Sequence, residues 1–256
     1  MSPDRAPATP AAAAPDTGAP QRARIREYER WLGGYGPSSA AMRWWMGGPG
    51  TFLANTALFR LPEELHVNED WRVVEVGCGR GSLLRMLDGR LRFIDPPVGV
   101  DASAAALRLA AEDDRAGGGA RPALRLVQGA ATALPLPSAS AELVLCGHLV
   151  KHLDDVELGA FLGELGRVLV PGGLALIWDF APTGNAWLDR WNAWLLAGGI
   201  VRGVARPQLR STRSLLAAAQ RASFDFRVDA RLRPFLLPPI PRASILIGKP
   251  PEGSTD

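Results

Sequence analysis

The stretch VVEVGCGRGSLL, at positions 73–84, limits the folds open to this chain more than any other feature. A short apolar run, interrupted only by Glu75, ends in three glycines at alternate positions, Gly77, Gly79 and Gly81. An apolar strand, a glycine turn and an apolar helical segment are typical of the first unit of a doubly wound sheet. Because glycines lack a Cβ atom, a ligand can approach the backbone of such a turn closely. The stretch therefore predicts a ligand-binding loop at the edge of a buried sheet.

Apolar runs that alternate with helical segments continue this pattern along the chain. Because the runs are continuous rather than alternating with polar residues, they indicate parallel strands that are buried on both faces. We therefore expect an α/β fold: a doubly wound, mostly parallel seven-stranded sheet with helices on both faces and an N-terminal helical cap. The expected strands cover residues 72–77, 98–101, 123–128, 141–147, 174–180, 224–230 and 242–248.

The sequence predicts one α/β domain with extensions. An alanine- and proline-rich leader covers residues 1–22, where no stable core is expected. A helical N-terminal cap covers 23–68, and the α/β domain covers 69–250 and includes a helical insertion or lid over 181–222. A short disordered tail covers 251–256.

Composition narrows the classes of protein to which the chain can belong. With 256 residues, 47% of them apolar, it is long enough for a substantial core. Its two cysteines, Cys78 and Cys146, are too few and too far apart for a disulfide framework or a zinc site, so no metal is expected. Neither a signal peptide nor an apolar run of membrane-spanning length is evident, and a cytoplasmic location is expected.

The charges around the glycine loop indicate which ligand it accepts. Asp101 lies 24 positions after Gly77, at the end of the second expected strand, where a carboxylate can accept both ribose hydroxyls. Glu75 would repel a pyrophosphate, and the GxGxG spacing differs from that of dinucleotide- and ATP-binding loops. A nucleoside that carries positive charge and no phosphate suits both carboxylates. S-adenosylmethionine has this chemistry, and we expect it as the cofactor.

Five segments occur in an order that resembles the class I S-adenosylmethionine-dependent methyltransferases. They are VVEVGCGRG, VGVDAS, GAATALPLPSASAELVLC, HLVKHL and LGRVLVPGGLALI, and together they cover about residues 71–180. Within this class, the five segments most resemble those of the ubiquinone/menaquinone and small-molecule methyltransferases. The resemblance implies a Rossmann-like methyltransferase fold and an enzyme that uses S-adenosylmethionine.

The resemblance also implies a set of cofactor-binding residues. The glycine loop and Glu75 would line the methionine side, Asp101 would hold the ribose, and Ala102 would pack against the adenine. Ala130 stands where the family usually has an acid that contacts the adenine amino group, so backbone atoms of Ala130 or Ala131 would have to bind the base. The full set is Glu75, Gly77, Cys78, Gly79, Gly81, Asp101, Ala102, Ala130, Ala131 and Cys146.

Two histidines, His148 and His152, follow the fourth expected strand and are candidates for a catalytic base. A histidine can accept a proton near neutral pH, which a weakly acidic acceptor would require. A structural role at the start of the next helix is the alternative for both, and methyl transfer can also proceed by alignment of the reactants alone. Asp179, after the fifth strand, is a lesser candidate.

The eight tryptophans fall in two groups, one before the first expected strand and one around and after the fifth. They predict a lid with an aromatic lining, and the alternative is that they pack these helices onto the sheet. We therefore expect a small, largely apolar or aromatic methyl acceptor, such as a lipid, a quinone or a polyketide. A homodimer is compatible with the sequence.

Nine arginines against two acids between residues 200 and 242 raise a second hypothesis, an RNA- or nucleotide-directed methyltransferase. That region lacks a recognised RNA-binding module, so a nucleic-acid partner is not expected. A third hypothesis is a non-catalytic cofactor-binding protein, which Ala130 favours. The loop spacing and Glu75 disfavour a nicotinamide-dependent dehydrogenase.

Overall fold

The computed structural model describes residues 18–45, 63, 65–117, 124–196, 207–227 and 242–251. Most of the expected leader and tail lies outside these residues, as do parts of the expected cap and insertion. The first helix begins at Gly18, inside the segment that the sequence assigned to a disordered leader. Pro20 lies in the first turn, where its missing N–H removes no helical hydrogen bond, so the alanine- and proline-rich composition concealed the helix start.

Seven strands form one sheet in the described part of the chain. The strands are β1 (Val73–Val76), β2 (Val98–Asp101), β3 (Arg125–Gln128), β4 (Ala141–Gly147), β5 (Leu169–Phe180), β6 (Asp225–Arg227) and β7 (Arg242–Gly248). Their order across the sheet is β3-β2-β1-β4-β5-β7-β6. Strands β1 to β5 pair in parallel, and β7 is antiparallel to both β5 and β6. The predicted doubly wound, mostly parallel seven-stranded sheet is confirmed.

Strand β5 begins earlier than the sequence predicted. Leu169 already pairs with Ala141, and regular pairing then resumes at Leu174 opposite Leu143 after a shift of register. The turn Pro171-Gly172-Gly173, whose residue types usually end a helix, therefore lies inside the strand as an irregularity. Gly172 has a φ of 78°, an angle that glycine adopts readily and other residues rarely do.

Helices cover both faces of the sheet. They are α1 (Gly18–Leu32), α2 (Pro37–Trp45), α3 (Ser82–Leu91), α4 (Ala104–Ala116), α5 (Asp155–Val168), α6 (Ala186–Leu196) and α7 (Thr212–Arg221), with a 3₁₀ turn over Val150–His152. Side chains cap several of the helix starts: Ser103 Oγ accepts from the amide of Ala106, Asp154 forms a capping box with Glu157, and Ser211 Oγ accepts from the amide of Ser214. None of the helices in the described ranges is both long and apolar enough to cross a bilayer.

Apolar side chains pack against both faces of the sheet. One cluster includes Val144 of β4 and Phe161 of α5, and a second includes Leu145 of β4 and Leu84 of α3. Consecutive residues of a strand point to opposite faces, so β4 contributes to both clusters in turn. This two-sided burial explains why the strand reads as a continuous apolar run, and it holds the carboxyl end of β4 rigidly in the centre of the sheet.

Candidate active site

The carboxyl ends of β1 and β4 meet at the centre of the sheet, where the strand order reverses. β1 pairs with β2 on one side and with β4 on the other. The connections that follow β1 and β4 leave in opposite directions, which opens a crevice between them. The glycine loop follows β1 and His148 follows β4, so both border this crevice.

Hydrogen bonds to β2 hold the glycine loop in place. The amide of Gly77 donates to Val100 O at 2.8 Å, and the amide of Gly79 donates to Asp101 Oδ2 at 2.8 Å. Gly77, Gly79 and Gly81 have φ angles of 78°, 53° and 68°. Because residues with a Cβ atom rarely adopt such angles, this turn requires glycine at all three positions.

Asp101, at the end of β2, joins the glycine loop to the start of α4. Its Oδ2 accepts from Gly79, and its Oδ1 accepts from the amide of Ser103 at 2.8 Å. Burial raises the pKa of Asp101, and these two backbone hydrogen bonds oppose the shift without cancelling it. Each carboxylate oxygen has further acceptor capacity, so the expected contact with ribose hydroxyls stays a prediction that this geometry permits.

Glu75 lies in the middle of the crevice floor, within β1. It is 6% exposed, and its Oε2 has no hydrogen-bond partner among the described residues. Burial and then the negative charge of Asp101 raise the pKa of Glu75 well above its usual range, and Arg85 of α3 opposes them. A buried carboxyl group that lacks a partner is unfavourable. A positively charged donor bound above the loop would supply that partner.

Three of the expected cofactor-binding positions, Gly81, Cys78 and Cys146, face the interior of the fold. A Cβ atom at Gly81 would lie 2.5 Å from Leu124 Cδ1, so glycine there serves close packing. Cys78 and Cys146 are 6% and 0% exposed, and burial raises the pKa of both thiols well above the usual range. Any contact of the two cysteines with a cofactor therefore involves their backbone atoms.

Ala102, Ala130 and Ala131 lie just beyond the ends of β2 and β3. The amide of Ala133 donates to Ala130 O at 3.1 Å, and Gln128 Nε2 donates to Ala102 O at 3.2 Å. Ala131 is 7% exposed, whereas Ala102 and Ala130 are partly exposed. Backbone hydrogen bonds thus order the loop after β3, and the adenine contact expected there stays a prediction.

His148 lies beside Asp179, which is near the end of β5. Its Nδ1 is 3.7 Å from Asp179 Oδ1, and its ring centroid is 4.8 Å from that of Phe180. Lys151 Nζ lies 3.4 Å from the same carboxylate oxygen. Although burial raises the pKa of Asp179, the charge of Lys151 and the neighbouring imidazole of His148 bring it below the usual range. Asp179 is therefore ionised at neutral pH and more closely tied to His148 than its sequence position indicated.

His152 differs from His148 in its electrostatic surroundings. Burial, followed by the positive charge of Lys151, lowers the pKa of His152 to about 3. The imidazole is therefore neutral near pH 7 and a weak base. These surroundings favour the structural alternative for His152, and it is left out of the machinery proposed below.

Helix α1 bridges the two sides of the crevice. Glu29 Oε1 accepts from Ser103 Oγ and from the amide of Ala105, both at 3.2 Å, at the start of α4. Arg24 forms an ion pair with Glu157 at the start of α5. Because α4 follows β2 and α5 follows β4, a helix tied to both starts spans the gap between them.

Tyr28 of α1 lies close to the expected ribose site. Burial, then the charge of Asp101, raises the pKa of its hydroxyl. The sequence analysis assigned Tyr28 no role in the site. The only signal was a polar-tipped aromatic residue on the apolar side of the helix.

The second tryptophan group divides between core and surface. Trp178 of β5 is 1% exposed, whereas Trp187 and Trp191 of α6 are 70% and 47% exposed. The rings of Trp187 and Trp191 stack with their centroids 6.3 Å apart and their planes at 9°. Trp178 therefore packs in the core, as the alternative hypothesis held, whereas Trp187 and Trp191 form an aromatic surface. The side chains of Trp31, Trp45 and Trp194 lie outside the part of the structure that is described.

Comparison with known proteins identifies the domain. Residues 73–173 match a family model described as a methyltransferase domain. The 2-phytyl-1,4-naphtoquinone methyltransferase of Thermosynechococcus vestitus is 30% identical over 128 residues, which are 50% of this chain and 54% of that protein. The phthiotriol/phenolphthiotriol dimycocerosates methyltransferase 1 of Mycobacterium ulcerans is 30% identical over 172 residues, 64% of this chain and 57% of that protein. The chain thus spans little more than half the length of these relatives.

The fold is similar to that of solved methyltransferases. The crystal structure of a SAM-dependent methyltransferase from Methanosarcina mazei superimposes with a TM-score of 0.58 at 18% identity. The superposition covers 74% of this chain and 97% of that one. The superposition shows a shared fold, and the family match over residues 73–173 agrees with the resemblance that the sequence motifs indicated.

Proposed function

We propose that this chain, whose residues 73–173 match a methyltransferase domain, transfers a methyl group from S-adenosylmethionine to a small, largely apolar or aromatic acceptor. The observation that carries the proposal is the buried carboxyl group of Glu75 beneath a glycine loop that is fixed by Asp101. When bound, S-adenosylmethionine supplies an electrophilic methyl group.

The residues of the crevice suit this cofactor in charge and in hydrogen-bonding capacity. Glu75 Oε2, which lacks a partner among the described residues, can accept from the ammonium group of a methionine moiety. The carboxylate of Asp101 can accept from two neighbouring ribose hydroxyls. Asp101 and Glu75 are both acids, so neither side chain offers a positive charge to a phosphate.

The residues around the crevice would then orient the acceptor and exclude water. Charge is dispersed during methyl transfer, so an apolar crevice with few competing waters favours it. Alignment of two bound reactants can supply an effective concentration of about 10⁵–10⁸ M. Helix α1 covers the expected cofactor side, and Phe180 provides an aromatic wall beside His148.

Two lines of support favour a small apolar acceptor. The relatives described above have names that refer to a naphthoquinone and to lipid-like dimycocerosates. In addition, Trp187 and Trp191 present aromatic surface on the helix that follows β5. Aromatic side chains at a binding site suit bulky apolar ligands.

The structure weakens the hypothesis of an RNA-directed methyltransferase. Arg210 belongs to the arginine-rich segment but is 8% exposed. Its guanidinium donates to Val150 O at 2.7 Å, to Leu153 O at 2.8 Å and to Asp155 Oδ1 at 2.8 Å. This arginine therefore holds the turn before α5 in place and cannot serve as a phosphate contact.

Calorimetric titration of the protein with S-adenosylmethionine and with S-adenosylhomocysteine tests the proposed function. We expect both to bind the unmodified chain and Asp101→Ala to weaken the binding by at least about tenfold, because the ribose contact and the anchor of Gly79 are lost together. Asp95→Ala is the matched control, since Asp95 is exposed and precedes β2 at the opposite edge of the sheet.

Two results would count against the proposal. Absence of heat with both compounds would remove the cofactor assignment, and unchanged affinity in Asp101→Ala would remove the ribose assignment. The acceptor itself can be found by incubating small-molecule extracts with the protein and isotope-labelled S-adenosylmethionine, then identifying the labelled product by mass spectrometry.

A further inference from the structure

We propose that His148 is the catalytic base of the reaction, that Asp179 positions it, and that the acceptor therefore carries an aromatic hydroxyl group. This inference rests on the proposed function and deepens it, because it names the class of acceptor. It is carried by the backbone conformation of His148, by the groups around its ring and by its place in the crevice.

The backbone of His148 is held in a conformation that favours glycine. Its φ is 59°, and its amide donates to Trp178 O at 2.9 Å. Lys151 Nζ donates to the carbonyl oxygen of His148 from the other side. Residues with a side chain occupy the left-handed region only when their surroundings enforce it, and such residues concentrate at functional sites. This bend directs the chain away from β4 immediately beyond the strand end.

The imidazole ring is oriented by contacts on its edge and on its face. Nδ1 lies 3.7 Å from Asp179 Oδ1, and Phe180 packs against the ring at 4.8 Å. Asp179 is itself fixed, because Oδ2 accepts from the amide of Lys151 at 2.8 Å and Oδ1 accepts from the amide of Phe180 at 2.7 Å. A carboxylate beside Nδ1 favours the proton on that nitrogen and leaves Nε2 as the acceptor.

The position of His148 places it between the cofactor side and the open side of the crevice. β4 lies between β1, which carries Glu75, and β5, which carries Asp179. The side chain of His148 is 24% exposed, whereas that of Asp179 is 3% exposed. A ligand in the crevice can therefore reach the imidazole but has little access to the carboxylate. The titratable and charged groups around His148 are Asp179, Lys151, His152 and Cys146.

The proposed step is a proton transfer that leaves the acceptor anionic. The O–H bond of the acceptor breaks, the proton moves to Nε2 of His148, and the electron pair stays on the oxygen. The resulting imidazolium is stabilised by Asp179 and later releases its proton to water. An imidazole can assist ionisation of an aromatic hydroxyl with a pKa near 10, as in tyrosine, far better than that of an aliphatic alcohol.

The variant His148→Gly tests the base directly. Glycine adopts a φ of 59° without strain, so we expect the variant to fold and to bind S-adenosylmethionine with unchanged affinity. With menadiol, 1-naphthol and catechol as acceptors, we expect methylation to fall by about 10²–10⁴-fold. Added imidazole should restore part of the lost rate, because the deleted side chain leaves room for it.

His152→Gln is the matched control, since it removes an imidazole four positions away that is neutral near pH 7. Its rate should stay within about threefold of the original, because no proton transfer is assigned to it. Asp179→Asn should lower the rate and shift the pH profile while S-adenosylmethionine binding, measured by calorimetry, stays intact. A purely structural role for Asp179 would change stability without moving the pH profile.

Several outcomes would overturn this inference and leave the proposed function standing. One is a His148→Gly variant that binds S-adenosylmethionine and keeps the full rate. Another is methylation of none of the three hydroxyl compounds, or faster methylation of a compound without an ionisable hydroxyl, such as menadiol dimethyl ether with a free ring carbon. A chain that fails to bind S-adenosylmethionine at all would instead contradict the proposed function.

Discussion

At the scale of single residues, Glu75 connects the stability of the fold with its proposed chemistry. Its position is unfavourable for a charge, because it lies in a central strand, is 6% exposed and has Asp101 as a negatively charged neighbour. Its pKa is raised, so the folded chain binds the proton more tightly than the unfolded chain does. Protonation therefore stabilises the fold, fully at pH values below the usual pKa of glutamate, and this stabilisation is lost as the pH rises through the raised pKa.

The variant Glu75→Gln separates stability from binding. Glutamine has the same size and no charge to desolvate, so the cofactor-free variant should melt at a higher temperature than the original chain near pH 8. The difference should shrink as the pH is lowered towards about 5, because the raised pKa of Glu75 favours protonation of the original carboxyl group. Thermal denaturation across this pH range measures the effect.

Binding should change in the opposite direction. Glu75→Gln should bind S-adenosylmethionine at least about tenfold more weakly, because a charge-assisted hydrogen bond to the ammonium group is replaced by a neutral one. A variant that is neither more stable at high pH nor weaker in binding would contradict this role of Glu75.

At the scale of secondary structure, α1 holds the crevice closed through a few polar contacts at helix starts. Glu29 satisfies the amide of Ala105 and the hydroxyl of Ser103, while Arg24 pairs with Glu157. These contacts lie on α4 and α5, which belong to opposite halves of the sheet. A helix attached in this way can detach without disturbing the sheet, because its anchors are side chains rather than strand pairs.

Glu29→Ala should therefore affect the exchange of cofactor more than the stability of the core. Removal of two hydrogen bonds weakens the closed position by about 1–2 kcal/mol, so dissociation of S-adenosylhomocysteine should accelerate by about 5- to 30-fold. Stopped-flow measurement of dissociation tests this. Glu27→Ala, on the same helix and with the same loss of charge, is the control and should leave the rate nearly unchanged. Equal acceleration in both variants would refute a specific role for Glu29.

At the scale of the whole molecule, the strand order predicts a gradient of stability across the sheet. β4 is central and its residues Leu143 to Cys146 are fully buried, whereas β3 lies at one edge and its residues are partly or fully exposed. Amides in β4 should exchange with deuterium only through global unfolding, and those of β3 should exchange faster. Hydrogen exchange followed by mass spectrometry measures both. Similar rates in the two strands would contradict the gradient.

Adding S-adenosylmethionine should slow hydrogen exchange in one further region, the glycine loop. The glycine loop is already held by Val100 and Asp101, and a ligand above it should slow exchange at Gly77 and Gly79. β7, on the far side of β5, should show little change and serves as the internal control. Slowing that is equal throughout the chain would indicate general stabilisation rather than binding at this loop.

The sequence was most informative where one interaction dominates local structure. Buried strands such as 141–147 and 242–248 were predicted to the residue, because two-sided burial leaves a continuous apolar signal. The start of β5 was missed because Pro171 and the two following glycines are usual helix-ending residues, and the register shift that absorbs them is set by pairing with β4. The start of α1 was missed for a similar reason, since composition outweighed the helical pattern.

The carboxylates of the site could be predicted from the sequence. The contacts between site residues that lie far apart in the chain could not. Glu75 and Asp101 are identified by their positions at strand ends relative to a glycine turn. The pairing of His148 with Asp179 joins positions 31 residues apart, and the ties from α1 join positions more than 70 apart, as in the bond between Ser103 and Glu29. No short-range pattern reports contacts of this kind, because the strand order creates them.

The raised pKa of Glu75 has a practical consequence for calorimetry. If an ammonium group takes the place of the proton, each binding event passes that proton to the buffer, and the observed heat includes the heat of buffer protonation. Titrations in phosphate and in Tris, whose protonation enthalpies differ widely, should thus give different apparent enthalpies and the same dissociation constant after correction. The slope between them would count the protons released.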